Sequence, residues 1–507
     1  MKKSIKTVGF MFLMILLSKV MGQAREMLIA QLYGSSSDAA AFYAASALPL
    51  NLFDIVFASA VSSAFIPVYN TYVEQKGPEE GDRFASAFFN AIFIGSLVLT
   101  GILICCSSGL ISLVAGGLVG QVRETAISLT VILLPIILFA SLAFSFVGLL
   151  QSKGEFNIPA AMSLISNGIV IIYLFCFNRY FGVRGLAVSL LLGWVLQFAI
   201  QIPVAIKKGF RYRPILKHEG LKTVVKLALP VMVGTWIQPI SAIINNAFAS
   251  GIGDANAIPT LNWANKLYLI VSSVFTVSLT NYIFPRLSKQ SVTDDGESYN
   301  HTLRISFLLI VMVLIPICSL MLVFKTPIIE IVYKRGAFTD NDLYLTAGAF
   351  FYYSLGIPFY GLLDLLNKAY YARKNMLIPS VTAAGAILLN LVLSFFLKDI
   401  MGSFGLALST SLTAVFTTTV LFLLLNHELH FIQKKDLLCV LRFVIYGAVM
   451  FPLCTLSYQL LPMKTSLVGN ILAVGIAAII GLLLYGGCLW CFHSEVREFL
   501  KKGSQKQ

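Results

Sequence analysis

An all-α protein threaded repeatedly through a membrane is the fold class this sequence predicts, and three observations predict it. Apolar residues make up 58% of the chain and charged residues only 12%, at a mean hydropathy of +0.84. That is too little charge to cover the surface of a soluble domain of this length. Apolar stretches recur along the chain, about fourteen of them, each near the length needed to cross hydrocarbon. Short motifs also repeat at a constant offset of 220 residues.

The first apolar segment, about 8–32, follows Lys2, Lys3 and Lys6. It is too long for the apolar core of a cleavable signal, so it reads as an anchor with its N-terminus in the cytoplasm. The next segments lie at about 40–70, 84–106, 124–150, 158–178, 185–206, 223–250 and 258–285. They continue at about 303–324, 342–371, 378–397, 403–426, 437–461 and 468–492. An even count puts both termini on one side. The side shared with the termini gathers about three times as many Lys and Arg as the other, with the largest group from Lys207 to Lys226. The opposite side holds only Arg123, Arg179, Arg184, Lys325, Lys334, Arg335, Lys398 and Lys464. The positive-inside rule therefore places both termini in the cytoplasm and accounts for the net charge of +14 without a nucleic-acid partner.

The repeat defines the organisation. Ile158-Pro159 recurs as Ile378-Pro379, Gly185-Leu186-Ala187 as Gly405-Leu406-Ala407, and Lys153 as Arg373. Lys6-Thr7-Val8 resembles Lys222-Thr223-Val224, and Pro67 resembles Pro285. Two six-helix lobes of the same orientation follow one another, at 1–215 with its basic loop and at 216–430, and two extra helices with a basic tail occupy 431–507. Parallel repeats characterise transporters, with the solute held between the halves near mid-membrane. Pro49, Pro230, Pro239, Pro316 and Pro358 fall inside spans, where each removes a backbone hydrogen bond and kinks a helix.

Charge inside the spans marks the candidate site. Ser18-Lys19-Val20-Met21-Gly22-Gln23-Ala24-Arg25-Glu26 lies within the first span. Each such charge costs roughly 2.5–3.5 kcal/mol at the bilayer centre. Lys19, Gly22 and Glu26 share one helical face, with Arg25 about 100° round from Glu26. One reading is a polar cavity that receives a charged solute; the other is snorkelling or a helix–helix ion pair. Asp54, Lys266, Asp364 and Lys368 are the other ionisable groups within spans. Asp364 and Lys368 stand four apart with the acid first, the favoured order for a helical ion pair. Bases outnumber acids slightly in this set, which points to an anionic ligand such as a phosphate or pyrophosphate. The competing reading is a set of acid–base contacts that only neutralise one another.

No catalytic set appears. There is no P-loop, and no Ser–His–Asp or metal-ligand spacing, so the chain reads as a transporter with no assigned metal. His427 and His430 read as a solvated loop. The eight cysteines, including Cys488-x-x-Cys491, lie mostly in apolar segments and read as small hydrophobes.

Ser18-Lys19-x-x-Gly22-x-x-Arg25-Glu26 is similar to the first-helix motif of the MurJ/MviN lipid II flippases, within the multidrug/oligosaccharidyl-lipid/polysaccharide exporter superfamily. So are Phe42-Tyr43-Ala44-Ala45 with Leu48-Pro49, Ala64-Phe65-Ile66-Pro67-Val68, and Phe181-Gly182-x-x-Gly185-Leu186-Ala187. Gln238-x-x-Ser241-x-Ile243-Ile244-Asn245, Ala264-Asn265-Lys266-Leu267-Tyr268, Phe284-Pro285-x-Leu287-Ser288, Arg335-Gly336-Ala337-Phe338-Thr339 and Lys368-Ala369-Tyr370-Tyr371-Ala372 extend the likeness in order. The resemblance implies a fourteen-helix flippase of the bacterial cytoplasmic membrane that works by alternating access. Its cargo would be undecaprenyl-pyrophosphate-linked peptidoglycan precursor, moved from the inner to the outer leaflet. It also implies a groove for the lipid tail by the last two helices, drive by membrane potential or a proton or sodium gradient without a cofactor, and partnership with cell-wall synthesis. It makes basic residues at Lys19, Arg25 and Lys266 necessary. The chain departs from it in three features: the paired arginines after the span-2 proline fall on Phe53 and Asp54, the acid before the aromatic pair falls on Ala40, and a base common in span 10 falls on Asp364. The cavity is thus less cationic than usual. A flippase for another lipid-linked oligosaccharide is the alternative. A cation-coupled drug exporter, which calls for an acidic cavity and twelve helices, and a non-transporting scaffold for a synthase stand further off.

Overall fold

The computed structural model describes residues 2–53, 64–235, 237–252, 256–292, 296–461 and 466–492. Asp54, Lys464 and the basic C-terminal tail lie outside the described residues. The chain begins with α1 (Lys2–Tyr33), α2 (Ser37–Phe53), α3 (Ile66–Lys76), α4 (Pro78–Cys105), α5 (Ser107–Val114), α6 (Gly120–Leu133) and α7 (Ile136–Ser152). It continues with α8 (Asn157–Cys176), α9 (Asn178–Ala199), α10 (Gln201–Lys207), α11 (Gly220–Thr235), α12 (Ile237–Ser250), α13 (Ala257–Val292) and α14 (Gly296–Val323). It ends with α15 (Lys325–Tyr333), α16 (Asp340–Ser354), α17 (Ile357–Ala372), α18 (Leu377–Met401), α19 (Ser403–Leu429), α20 (Lys434–Leu460) and α21 (Leu467–Phe492).

Helices are what hydrocarbon demands, because each backbone group finds its partner within the segment. Serines and threonines inside the apolar helices obey the same constraint. Ser96 donates to Ile92 O at 2.6 Å, Ser141 to Ile137 O at 2.6 Å and Thr417 to Thr413 O at 2.7 Å, each one turn back. Among the described residues, every apolar segment read from the sequence falls on helix. Among the described residues, nine helical stretches are long and apolar enough to cross a membrane, and α16 with α17, bent by 43° just before Pro358, makes a tenth. The other four segments, at α1, α2 with α3, α11 with α12, and α13, are helical over their described residues.

The backbone repeats as the motifs do. The turn pattern over 115–120, between α5 and α6, recurs over 335–340, between α15 and α16. The turn over 153–156 recurs over 373–376, with a left-handed residue at Gly154 in one copy and at Lys374 in the other. Gly182 and Gly402 share a positive φ of 52° and 59° at the same offset. Proximity, by contrast, groups the chain into two compact units. Unit 1 is Met1–Trp263, Arg335–Asp342 and Ala383–Leu406; unit 2 is Ala264–Lys334, Leu343–Thr382 and Ala407–Gln507. Their edges do not coincide with the repeat boundaries at 215 and 430.

In unit 1, α1 lies along α8, α2 along α6, and α4 against α3 and α7. Phe65 is fully buried, with its ring centroid 4.8 Å from Phe88 and 5.6 Å from Phe84, so the Ala64-Phe65-Ile66-Pro67 motif is the centre of an aromatic core. Beside it the loop after α10 is pinned by acids. Asp82 is buried, accepts from the Arg211 backbone N–H at 2.9 Å and pairs with Lys153 at 3.2 Å, while Lys208 pairs with Glu155 at 3.0 Å. In unit 2, α14 packs on α17 and α20, and α20 on α21. Arg304 grips Asp436 in a fork at 2.8 and 2.7 Å, and Asp436 also closes a capping box with Gln433 at the start of α20.

Arg335-Gly336-Ala337-Phe338-Thr339 closes the end of α1. Ala337 N–H donates to Gln31 O at 2.8 Å, satisfying one of the last carbonyls of α1. The two chains approach so closely that only glycine fits on either side. A Cβ on Gly34, at φ +52°, would lie 2.3 Å from Ala337 O, and one on Gly336, at φ +59°, 2.4 Å from Gln31 O. Thr339 and Asp342 cap α16 reciprocally, at 2.8 and 3.2 Å, and the Ser35 hydroxyl donates to the Asp342 carboxylate. A β-branched side chain at 336 meets both a left-handed backbone, which alone costs roughly 1–2 kcal/mol, and a fixed carbonyl. Gly336→Val is therefore expected to lower the apparent melting temperature of the purified protein by several degrees. Gly95→Ala, whose Cβ meets nothing within 4 Å, leaves it unchanged. Equal melting of the two variants contradicts this.

Candidate functional site

Helix α1 carries its charged cluster into the interior of unit 1, and the neighbours of that cluster come from three other helices. Glu26 is 3% exposed, a burial a carboxylate tolerates only when its oxygens are satisfied. Both are. Oε1 accepts from Arg25 Nη2 at 2.7 Å, and Oε2 accepts from the Tyr43 hydroxyl of α2 at 2.8 Å. Tyr43 in turn accepts from Trp263 Nε1 of α13 at 2.7 Å, and the two rings meet edge to face at 6.0 Å. Trp263 is fully buried and lies 5.3 Å from the ring of Phe338, in the segment that closes the end of α1. A chain of donors thus runs from Trp263 through Tyr43 to Glu26, and it fixes the counter-ion of Arg25.

Arg25 is held from a second side. Its Nη1 donates to Asn167 Oδ1 of α8 at 3.0 Å, and Asn167 Nδ2 reaches back to Ser18 O of α1 at 3.4 Å. Gly22 makes room for this. A Cβ there would lie 3.5 Å from Asn167 Nδ2. Arg25 and Gly22 therefore meet α8, while Glu26 meets α2, and the long Arg25 side chain bridges the two. The Arg25 side chain as a whole is 23% exposed, and its guanidinium is oriented by Glu26 and Asn167. Lys19 is half-buried, two turns before Arg25 on the same helix.

Unit 2 holds the remaining described groups. Lys266 is half-buried on α13, beside Tyr268, which stacks on Tyr353 at 5.7 Å and leans on Tyr360 at 5.7 Å. Asp364 and Lys368 form the expected ion pair along α17, at 3.0 Å. Thr280 of α13 joins them, accepting from Lys368 Nζ at 2.6 Å and donating to Asp364 Oδ2. Of the seven charged candidates, the structure thus brings together Arg25 with Glu26, and Asp364 with Lys368. Asp54 is outside the described residues.

Asn167 and Thr280 were not among the residues singled out from sequence. Asn167 had a signal, a carboxamide in the middle of an otherwise apolar span. Thr280 had none, because hydroxyl residues are frequent in these helices and most bond only to their own backbone.

Comparison with known proteins places this arrangement. The family model described as "Lipid II flippase MurJ" matches residues 29–477. The chain is 27% identical over 513 residues to "Lipid II flippase MurJ" of Burkholderia cenocepacia, covering 96% of this chain and 97% of that protein. It is 28% identical over 488 residues to "Probable lipid II flippase MurJ" of Rickettsia prowazekii, covering 92% and 94%. Its fold is similar to a solved structure titled "Lipid II flippase MurJ, inward closed conformation", with a TM-score of 0.82, 26% identity and coverage of 96% and 99%. An inward-facing transporter of the multidrug resistance MATE family in the MOP superfamily shares the fold at a TM-score of 0.72 and 13% identity, covering 82% of this chain and 94% of that one. With the family model matching residues 29–477, most of the chain, this multi-pass membrane protein belongs to the lipid II flippase MurJ family.

Proposed function

We propose that this protein carries lipid II, the undecaprenyl-pyrophosphate-linked peptidoglycan precursor, from the cytoplasmic to the outer leaflet of the bacterial inner membrane. The observation that carries the reading is the part-exposed Arg25 side chain, its guanidinium oriented by Glu26 and Asn167, in a chain of this family. A diphosphate cannot enter hydrocarbon with its charge uncompensated, because the transfer of an isolated ion costs tens of kcal/mol. Lysines and arginines along the path replace the water it loses. In unit 1 Lys19 and Arg25 supply positive groups that Glu26 and Asp54 offset, and in unit 2 Lys266 and Lys368 supply others that Asp364 offsets, so that the headgroup can leave again. Loading at one leaflet and release at the other require these groups to open to each side in turn.

The protein does this without a cofactor or a covalent step. The cargo is anionic and moves outward, so a membrane potential negative inside favours it by about 2.3 kcal/mol per charge per 100 mV. That term, or a proton or sodium gradient, drives the cycle. The distribution of Lys and Arg puts both termini in the cytoplasm, and the enzymes that polymerise the delivered precursor are the natural partners.

Two experiments test this. In a bacterium depleted of its own flippase, Arg25→Ala and Lys266→Ala are expected to abolish growth while the protein still accumulates in the membrane. Asn167→Leu, which frees the guanidinium from α8, is expected to slow growth without abolishing it. Normal growth of the Arg25 and Lys266 variants refutes the assignment. For topology, in a cysteine-free background Glu79→Cys is expected to be closed to an impermeant thiol reagent in intact cells, and Lys334→Cys open to it. The reverse pattern overturns the orientation.

A further inference from the structure

We propose that the Asp364 carboxylate is an internal stand-in for the anionic cargo. It occupies Lys368 until a phosphate oxygen displaces it, and so sets how tightly this chain holds an anionic headgroup. The inference rests on the flippase reading above and deepens it at one position within unit 2.

The geometry is a closed ring of three contacts. Lys368 Nζ lies 3.0 Å from Asp364 Oδ2 and 2.6 Å from Thr280 Oγ1, and the Thr280 hydroxyl donates to that same Oδ2. A hydroxyl carries one proton. It accepts from the ammonium, and its one proton is shared between Asp364 Oδ2 and the Thr276 carbonyl one turn back, 2.9 Å away, so its hold on the carboxylate is partial. Thr280 is fully buried, and Gly361, one turn before Asp364, lets α17 sit close against α13 and α14. A Cβ on Gly361 would lie 2.1 Å from Leu314 Cδ1 and 3.3 Å from Thr276 Oγ1. The clamp is therefore placed by packing, and the lysine does not wander.

The pair is nevertheless easy to exchange. The Asp364 side chain is 36% exposed and that of Lys368 is 19% exposed, and ion pairs with this much access to solvent are weak. A diphosphate oxygen offers the ammonium the same kind of acceptor with more charge behind it. The lysine passes from one oxygen to another, with Thr280 still bonded to it, and is never left without a partner. When the headgroup departs, Asp364 takes the lysine back. A neutral residue at 364 removes the competitor, so an anion should bind more tightly, roughly two- to fivefold, the factor that corresponds to such a pair.

The test uses the full-length protein in nanodiscs, with inorganic pyrophosphate as the probe and folding checked by size exclusion. Asp364→Asn, and Asp364→Ser as a second neutral variant, are expected to lower the Kd for pyrophosphate by that factor. In a Lys368→Gln background the same changes at 364 are expected to do nothing, because the group they compete for is gone. No tightening by either variant, or equal tightening with and without Lys368, overturns the inference. Movement of lipid II by the unsubstituted protein in liposomes is measured separately. Absence of that movement, with the pyrophosphate pattern intact, overturns the flippase reading while the counter-ion role of Asp364 stands.

Discussion

A charge inside a membrane must be paired, and the pairing of Arg25 with Glu26 is the constraint on which the rest of unit 1 depends. Glu26 has no access to water, so its two oxygens must be met by protein. The groups that meet them, Arg25 and Tyr43, are themselves fixed by Asn167 and Trp263. Four helices are thereby committed to one small polar centre. Removing any one member leaves a buried charge or a buried donor unsatisfied, which is why such a network tolerates little variation. The same arrangement leaves the Arg25 side chain oriented and part-exposed.

The duplicated architecture shows why the charge can be kept at all. Most of each repeat is apolar helix whose hydroxyl residues bond mainly to their own backbone, with a few reaching a neighbour, as Ser411 does to Tyr352 O at 2.6 Å and Thr418 to Phe359 O at 2.9 Å. Polar side chains on α1, α2, α8 and α13 meet one another within unit 1. Their polarity is affordable only where other protein covers it. The pinned basic loop after α10 follows the same rule, since Asp82, buried at the start of α4, is compensated by Lys153 and a backbone donor.

Much of this was legible in the sequence. Composition and segment length gave the class, and the 220-residue offset found in dipeptides reappears as matching turns and matching left-handed residues, even where Lys374 replaces the glycine of the first copy. The Asp364–Lys368 pair followed from helical spacing alone. What spacing could not reach was any partner on another helix. Asn167, Tyr43 and Trp263 lie far from Arg25 and Glu26 in sequence, and nothing local marks them as its support. Arg335-Gly336-Ala337-Phe338 stood out as a motif, but its work, accepting the end of α1 against two glycines, is visible only when both chains are seen together. Of the two readings of these charges, acid–base pairing is what the geometry displays, Glu26 with Arg25 and Asp364 with Lys368, with the bases part-exposed.

The most direct measurement is the sidedness of lipid II in cells that depend on this protein. An enzyme that degrades lipid II, added from outside, reports the fraction in the outer leaflet. With the unsubstituted protein most of the lipid II should be open to it, and with Arg25 replaced by a neutral residue the precursor should accumulate at the inner face, protected. Outer-leaflet lipid II at the normal level without the Arg25 charge would mean that the buried centre of unit 1 serves only to hold helices together.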